Sequence, residues 1–135
     1  MASRDLHNNI KIAPSINPAA GIIGNGATNG AAIDTQGYES VEFAFISGVI
    51  TDGTFACKLQ HGDAANLSDA ADVDAADLVG SAPSFATTDD GVVKKLGYKG
   101  NKRYVRQVAT QAGATTGGFL SGVAILGNAR NNPVA

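Results

Sequence analysis

From Tyr38 to Gly62 the chain alternates apolar and polar residues, and that alternation limits what it can become. Val41, Phe43 and Phe45 enclose Glu42 and Ala44, and Phe55, Cys57 and Leu59 are interleaved with Ala56, Lys58 and Gln60. A period of two puts each apolar set on one face of a strand. Two strands, each apolar on one side, must then close over a shared core. Thr51-Asp52-Gly53-Thr54 supplies the reversal, because Gly accepts positive φ and Asp bonds its own local backbone. The pattern predicts a hairpin with Phe43, Phe45, Phe55 and Leu59 in the core.

The rest of the chain repeats this strand-and-turn rhythm. Residues 1–30 differ: Pro14, Pro18, Gly21, Gly24, Gly26 and Gly30 stand among five asparagines, around one possible short strand at Asn9–Ala13. Such a segment buries little by itself. Its isoleucines, Ile10, Ile12, Ile16, Ile22 and Ile23, fit an extended arm that orders on a neighbouring subunit. Ala31–Thr35 is a short strand. The alanines between Asp63 and Gly80 predict a loop and one short helix, Asp72–Leu78, ended by Gly80. Ser81–Asp90 is a linker. Strands follow at Gly91–Tyr98, Arg103–Thr110 and Phe119–Leu126. The last is apolar on both faces, as in a central strand covered on both sides. The expected fold is all-β, an antiparallel sandwich or barrel with one short helix in a connection. Its expected divisions are an arm (1–30), a body (31–127) and a tail (128–135).

Chemistry-bearing residues are sparse. The histidines are His7 and His61, and the one cysteine is Cys57. His61 and Cys57 share a strand face but stand about 13 Å apart by strand rise, too far for a nucleophile and its base. One Cys and two distant His do not make a zinc site. Asp69, Asp72, Asp74 and Asp77 lack the alternate oxygens, the Gly and the final Glu of a calcium loop, so they read as a solvated acidic stretch. Gly24–Gly30 has Asn29 where a dinucleotide loop needs its third Gly. No enzyme activity, metal or cofactor is expected. The segment Met1–Lys11 has no apolar leader core, and no apolar run is long enough to span a membrane, so neither secretion nor a membrane partner is expected.

Net charge is only −2, but its layout is uneven. Eleven of the twelve acids lie between Asp34 and Asp90, and six of the ten bases lie between Lys94 and Arg106. Opposite patches on one chain permit complementary contacts between subunits. Strand alternation divides the bases between two faces and stacking aromatics are few, which disfavours nucleic acid as a partner. The candidate interface residues are Ile10, Ile12, Ile22 and Ile23 on the arm, and Lys99, Lys102 and Arg103 near the Gly100-Asn101 turn.

Several runs carry a family resemblance: Met1–Ile10, Ala32–Phe43, Thr51–Phe55, Leu59–Asp63, Gly97–Arg106 and Gly127–Val134. Together, over nearly the whole length, they resemble small virion structural proteins of tailed bacteriophages and prophages. Within that group the chain is similar to the β-rich decoration, cement or minor capsid proteins of the head. The resemblance implies a non-enzymatic protein that binds the major capsid protein and copies of itself. It implies a place in the virion head after synthesis in the bacterial cytoplasm, and carries no catalytic residues. A tail or head–tail connector protein is the nearest alternative. A carbohydrate-binding module is more distant, since it would want exposed aromatics and Trp is absent.

Overall fold

The computed structural model describes residues 2–17, 22 and 24–134. Two antiparallel sheets pack face to face. Their strands are β1 (Lys11–Ile16), β2 (Gly26–Asn29), β3 (Ile33–Asp34), β4 (Tyr38–Ile50), β5 (Thr54–Gly62), β6 (Ala71–Asp72), β7 (Leu78–Val79), β8 (Ser84–Phe85), β9 (Val93–Tyr98), β10 (Tyr104–Ala112) and β11 (Gly118–Ala129). The first sheet runs β1-β11-β4-β9-β7. The second runs β2-β10-β5-β6, with β3 also on β10 and β8 on β5. The all-β sandwich is therefore the architecture.

The alternation does what its chemistry requires. Val41, Phe43 and Phe45 from the first sheet meet Phe55, Cys57 and Leu59 from the second, and all six are buried. Phe85, Leu96, Val105, Leu120 and Leu126 join them in the core. Full burial of one such side chain is worth about 1.5–3 kcal/mol.

The two founding strands do not form a hairpin. β4 pairs with β11 and β9, while β5 pairs with β10. The turn after Ile50 instead carries the chain from one sheet to the other, so the apolar faces meet across the core rather than side by side. The β10–β11 connection makes the reverse crossing beside it. Asp52 joins the two crossings. Its carboxylate accepts the backbone N–H groups of Gly117 at 2.7 Å and of Thr115 and Thr116 at 3.0 Å. The Asp therefore bonds backbone more than sixty residues away and not its own turn. Gly117, Thr115 and Thr116 hold that carboxyl below the usual range, because each donor favours the charged form.

Three further expectations change. The helix at Asp72–Leu78 is only a 3-10 turn, Ala75–Asp77, between β6 and β7. Alanine propensity loses here because no apolar stripe anchors a helix, while pairing with β5 and β9 satisfies the flanking backbone. The N-terminal segment is not wholly an arm. β1 pairs along β11 and β2 along β10, with Ile16 buried and Ile22 packed against the core. Its alternate apolar residues reach the sandwich, which offsets the entropy of a Gly- and Pro-containing chain. The body's last strand runs on to Ala129, which moves the start of the C-terminal tail past residue 128.

β11 is an inner strand of its sheet, between β1 and β4, but it is not covered on both sides. Leu120, Ala124 and Leu126 are buried on the inner face, whereas Phe119 is 50% exposed on the outer one. No second layer lies over that face among the described residues.

Candidate functional site

The outer face of the first sheet is built by the same period-two rule that builds the core. Residues between the buried ones on β4 and β11 must point away from the core. On β4 these are Glu42, Ala44 and Ile46, and on β11 they are Phe119, Ser121, Val123 and Ile125. β9 adds Val93, Lys95 and Gly97, and β7 adds Val79. The edge strand β1 adds Ile12 and Pro14. Ladder pairing sets these side chains in rows: Ile12 beside Ile125 beside Glu42 beside Gly97 beside Val79, then Pro14, Val123, Ala44 and Lys95, then Ser121, Ile46 and Val93.

Apart from Glu42, Lys95 and Ser121, the members of these rows are apolar. Ile12 is 61% exposed, Val93 62% and Val79 54%. Scattered exposed hydrophobes are ordinary, but a contiguous apolar sheet face marks a contact surface. Glu42 and Lys95 are its only charged residues. Burial pushes the Glu42 carboxyl upward, and the nearby Lys95 partly opposes that shift. The face is rigid because its strands are the core strands seen from behind.

The other candidate residues are dispersed. Ile10 is half-buried just before β1 and approaches Gly127. Ile12 lies on the outer face just described. Ile22 turns inward and bridges to Gly118. Ile23 lies outside the described residues. Lys99 is exposed, and its backbone N–H donates to Asp77 O. Lys102 Nζ pairs with Asp63 at 2.6 Å. Arg103 makes a two-pronged contact with Asp34, at 2.8 and 2.7 Å, and lies over the Tyr104 ring. The cleft edged by Gln36, Tyr38, Lys102, Arg103 and Arg130 is therefore less basic than its residues suggest. Arg130 is matched by Glu39 there. Arg106 donates through its guanidinium to Gln60 Oε1 at 3.0 and 2.6 Å.

The acidic stretch is also taken up locally. Asp69 caps the loop after β5 by accepting the N–H groups of Asp63 and Ala64. Asp72 pairs with Lys58 and Gln60. No group of three or more His, Cys, Asp or Glu among the described residues could hold a metal ion. His61 meets Tyr98 across the end of the sandwich, edge to face, with Nδ1 2.9 Å from the phenol oxygen. Tyr98 Oη also accepts the Lys102 backbone N–H at 3.0 Å. Burial raises the Cys57 thiol to about 12, so this cysteine is a core residue and not a thiolate nucleophile. No helix among the described residues is long and apolar enough to cross a membrane.

The residues missed by sequence reasoning are Glu42, Ile46, Val93 and Lys95. Their signal was present in the two-sided apolarity of Phe119–Leu126, which marked a strand with an apolar outer face.

No protein-family model matches the sequence, and no curated protein matches it. Solved structures give distant likenesses. The SPBc2 prophage-derived protein YomS is 10% identical with a TM-score of 0.38, over 87% of this chain and 93% of that one. Dimeric latent PorU from Porphyromonas gingivalis is 12% identical with a TM-score of 0.38, over 94% of this chain and 13% of that one. Infectious bursal disease virus, Gx strain, is 11% identical with a TM-score of 0.38, over 94% of this chain and 33% of that one. Likeness at this level assigns no function.

Proposed function

We propose that this chain is a non-enzymatic structural protein of a tailed-phage or prophage virion, acting as a decoration or cement protein of the head. The observation that carries the reading is the apolar outer face of the first sheet, backed by a rigid sandwich. A protein that works by adhesion needs such a face more than it needs a pocket. The run-by-run resemblance to small virion proteins supports the same reading. The mechanism is mass action: a protein that binds the assembled shell and not its free subunits stabilises the shell, and many copies on a lattice multiply modest contacts.

The test uses virions of the phage or prophage that encodes the chain. Gradient-purified particles should contain it, and labelled antibody should decorate heads. Val93→Glu should reduce occupancy while leaving the circular dichroism spectrum unchanged. Absence from purified particles refutes the reading. Label on tails replaces decoration by the tail or connector alternative.

A further inference from the structure

Glu42 stands in mid-row on the apolar face, and Lys95 closes the next row on β9. Glu42 stands opposite Gly97, and Lys95 opposite Ala44, on adjoining rungs of the β4–β9 ladder. They are diagonal neighbours, about 7–8 Å apart. Gly97 leaves room for the acid, since a Cβ there would come within 2.8 Å of Glu42 Oε2. Lys58, Lys94, Lys102, Arg103 and Arg130 each reach a carboxylate within the chain. Glu42 and Lys95 make no ion pair of that kind among the described residues. The face thus holds one acid and one base, close together, unmatched at contact range and surrounded by Ile46, Val93, Val123 and Ile125.

We infer that this face closes on a second copy of the same chain, related by a two-fold axis, with Glu42 of each copy against Lys95 of the other. The inference rests on the reading of the face as a docking surface, and names its occupant.

Three arguments favour a second copy. First, a two-fold axis lying in the interface and bisecting the line from Glu42 to Lys95 exchanges the two positions. Both charges are then matched, twice over, by symmetry alone. A partner of another sequence would have to place a base and an acid independently. Second, the area suffices for a reversible dimer. Four strands about 4.8 Å apart over some six residues of rise, with the two-residue β7 beside them, give roughly 400 Å² per copy, or about 800 Å² in total, the size of a weak, reversible contact. The axis that exchanges these diagonal positions lies well off the strand direction, so the two sheets cross at a steep angle, as in orthogonal sheet packing. Third, the edge that could compete is blunted. β1 carries Lys11 and Pro14, which oppose strand-to-strand pairing, so copies meet by face instead.

Sedimentation velocity of the full chain over a concentration series tests this. The expected result is a monomer–dimer equilibrium. Glu42→Lys should raise the dissociation constant at least about tenfold, because it sets two like-charge pairs in the interface. Lys95→Glu should do the same. The double swap should return the constant to within about threefold of the parent, a rescue that a partner of different sequence could not give. Val93→Glu, at a position whose exposure makes folding independent of it, should abolish the dimer.

A chain monomeric at every concentration refutes the inference. So does a dimer that survives Val93→Glu, or a folded double swap without rescue. If the monomeric chain still binds particles, and Val93→Glu reduces that binding, the docking surface stands and only its occupant is wrong. If the chain is monomeric and particle binding ignores Val93→Glu, both readings fall. A rescued dimer absent from particles keeps the dimer and removes the virion role.

Discussion

Gly122 and Gln107 should be energetically coupled, and a double-mutant cycle should show it. Gly122 lies on the inner face of β11, opposite Phe45 and Ile16. A Cβ there would overlap Gln107 Oε1 and come within 2.8 Å of Cδ and 3.0 Å of Nε2. All three nearest atoms belong to that one side chain. Gln107 is fully buried, and its Nε2 crosses the core to donate to Ala44 O at 3.0 Å. Gly122→Ala must therefore push the amide aside. Overpacking costs about 1–3 kcal/mol. Losing the amide's bond adds about 0.5–1.5 kcal/mol. The lower chain entropy of Ala returns about 0.5–1 kcal/mol. The net expectation is a loss of about 2 kcal/mol. Gln107→Ala alone should also destabilise, by the lost bond and the cavity. In that background the three atoms nearest the added Cβ are gone, so Gly122→Ala should become neutral or slightly favourable. The coupling should thus be about 2 kcal/mol, measured by urea denaturation of the four proteins. Additive losses would refute the packing argument, because they would mean that the glycine is required by something other than Gln107.

Phe43→Ala should cost about 3–5 kcal/mol in the same assay, since this side chain has no exposed surface and sits between both sheets. Cys57 should resist thiol reagents at pH 8 in the folded protein and react at once in urea, because burial holds the thiol near 12; rapid labelling under native conditions would show an open core. Asp52→Asn should lower the melting temperature at neutral pH. A depressed folded pKa gives stability that is present above the unfolded carboxyl range and lost as pH falls through the folded value, so the gap between parent and variant should shrink over that acid window. A gap independent of pH would mean that charge at Asp52 is not what joins the two crossings.

What was legible in the sequence was the face of each strand, and what was not was its partner. Side-chain alternation is local, so Phe43, Phe45, Phe55 and Leu59 could be assigned to the core from spacing alone. A three-residue turn is compatible either with a hairpin or with a crossing between sheets. The choice is made by Asp52 and its donors at Thr115–Gly117, a contact with no local trace. The basic run was legible as charge but not as pairing, for the same reason. Lys102 and Arg103 find acids 39 and 69 residues away, and only the fold brings these together. Alanine-rich propensity misled because it is a weak preference, readily overridden when short pairings are on offer. The outer face was half legible: the apolarity of Phe119, Val123 and Ile125 was plain, but a cover was assumed where the sandwich supplies none.

The two outer faces of this sandwich differ in kind, and the difference separates what folding needs from what it does not. The outer side of the second sheet is a polar ladder, with Lys58 bound to Asp72 and Arg106 to Gln60. That is the pattern expected of a sheet with one face in water. The first sheet has the same inner packing, so it needs nothing more from its outer side. Ile46 and Val93 are cross-strand neighbours there, and both are exposed. Water gains nothing from their apolarity, and the core does not touch it. Replacing both by Thr keeps strand propensity and side-chain branching while making the pair polar. Surface changes of this kind ordinarily move stability by no more than about 0.5 kcal/mol each. The expected outcome is therefore an unchanged urea midpoint together with weakened association and better solubility at high concentration. A loss of stability well above 1 kcal/mol, with association intact, would place Ile46 and Val93 in the fold's own energetics and remove the outer face as a docking surface.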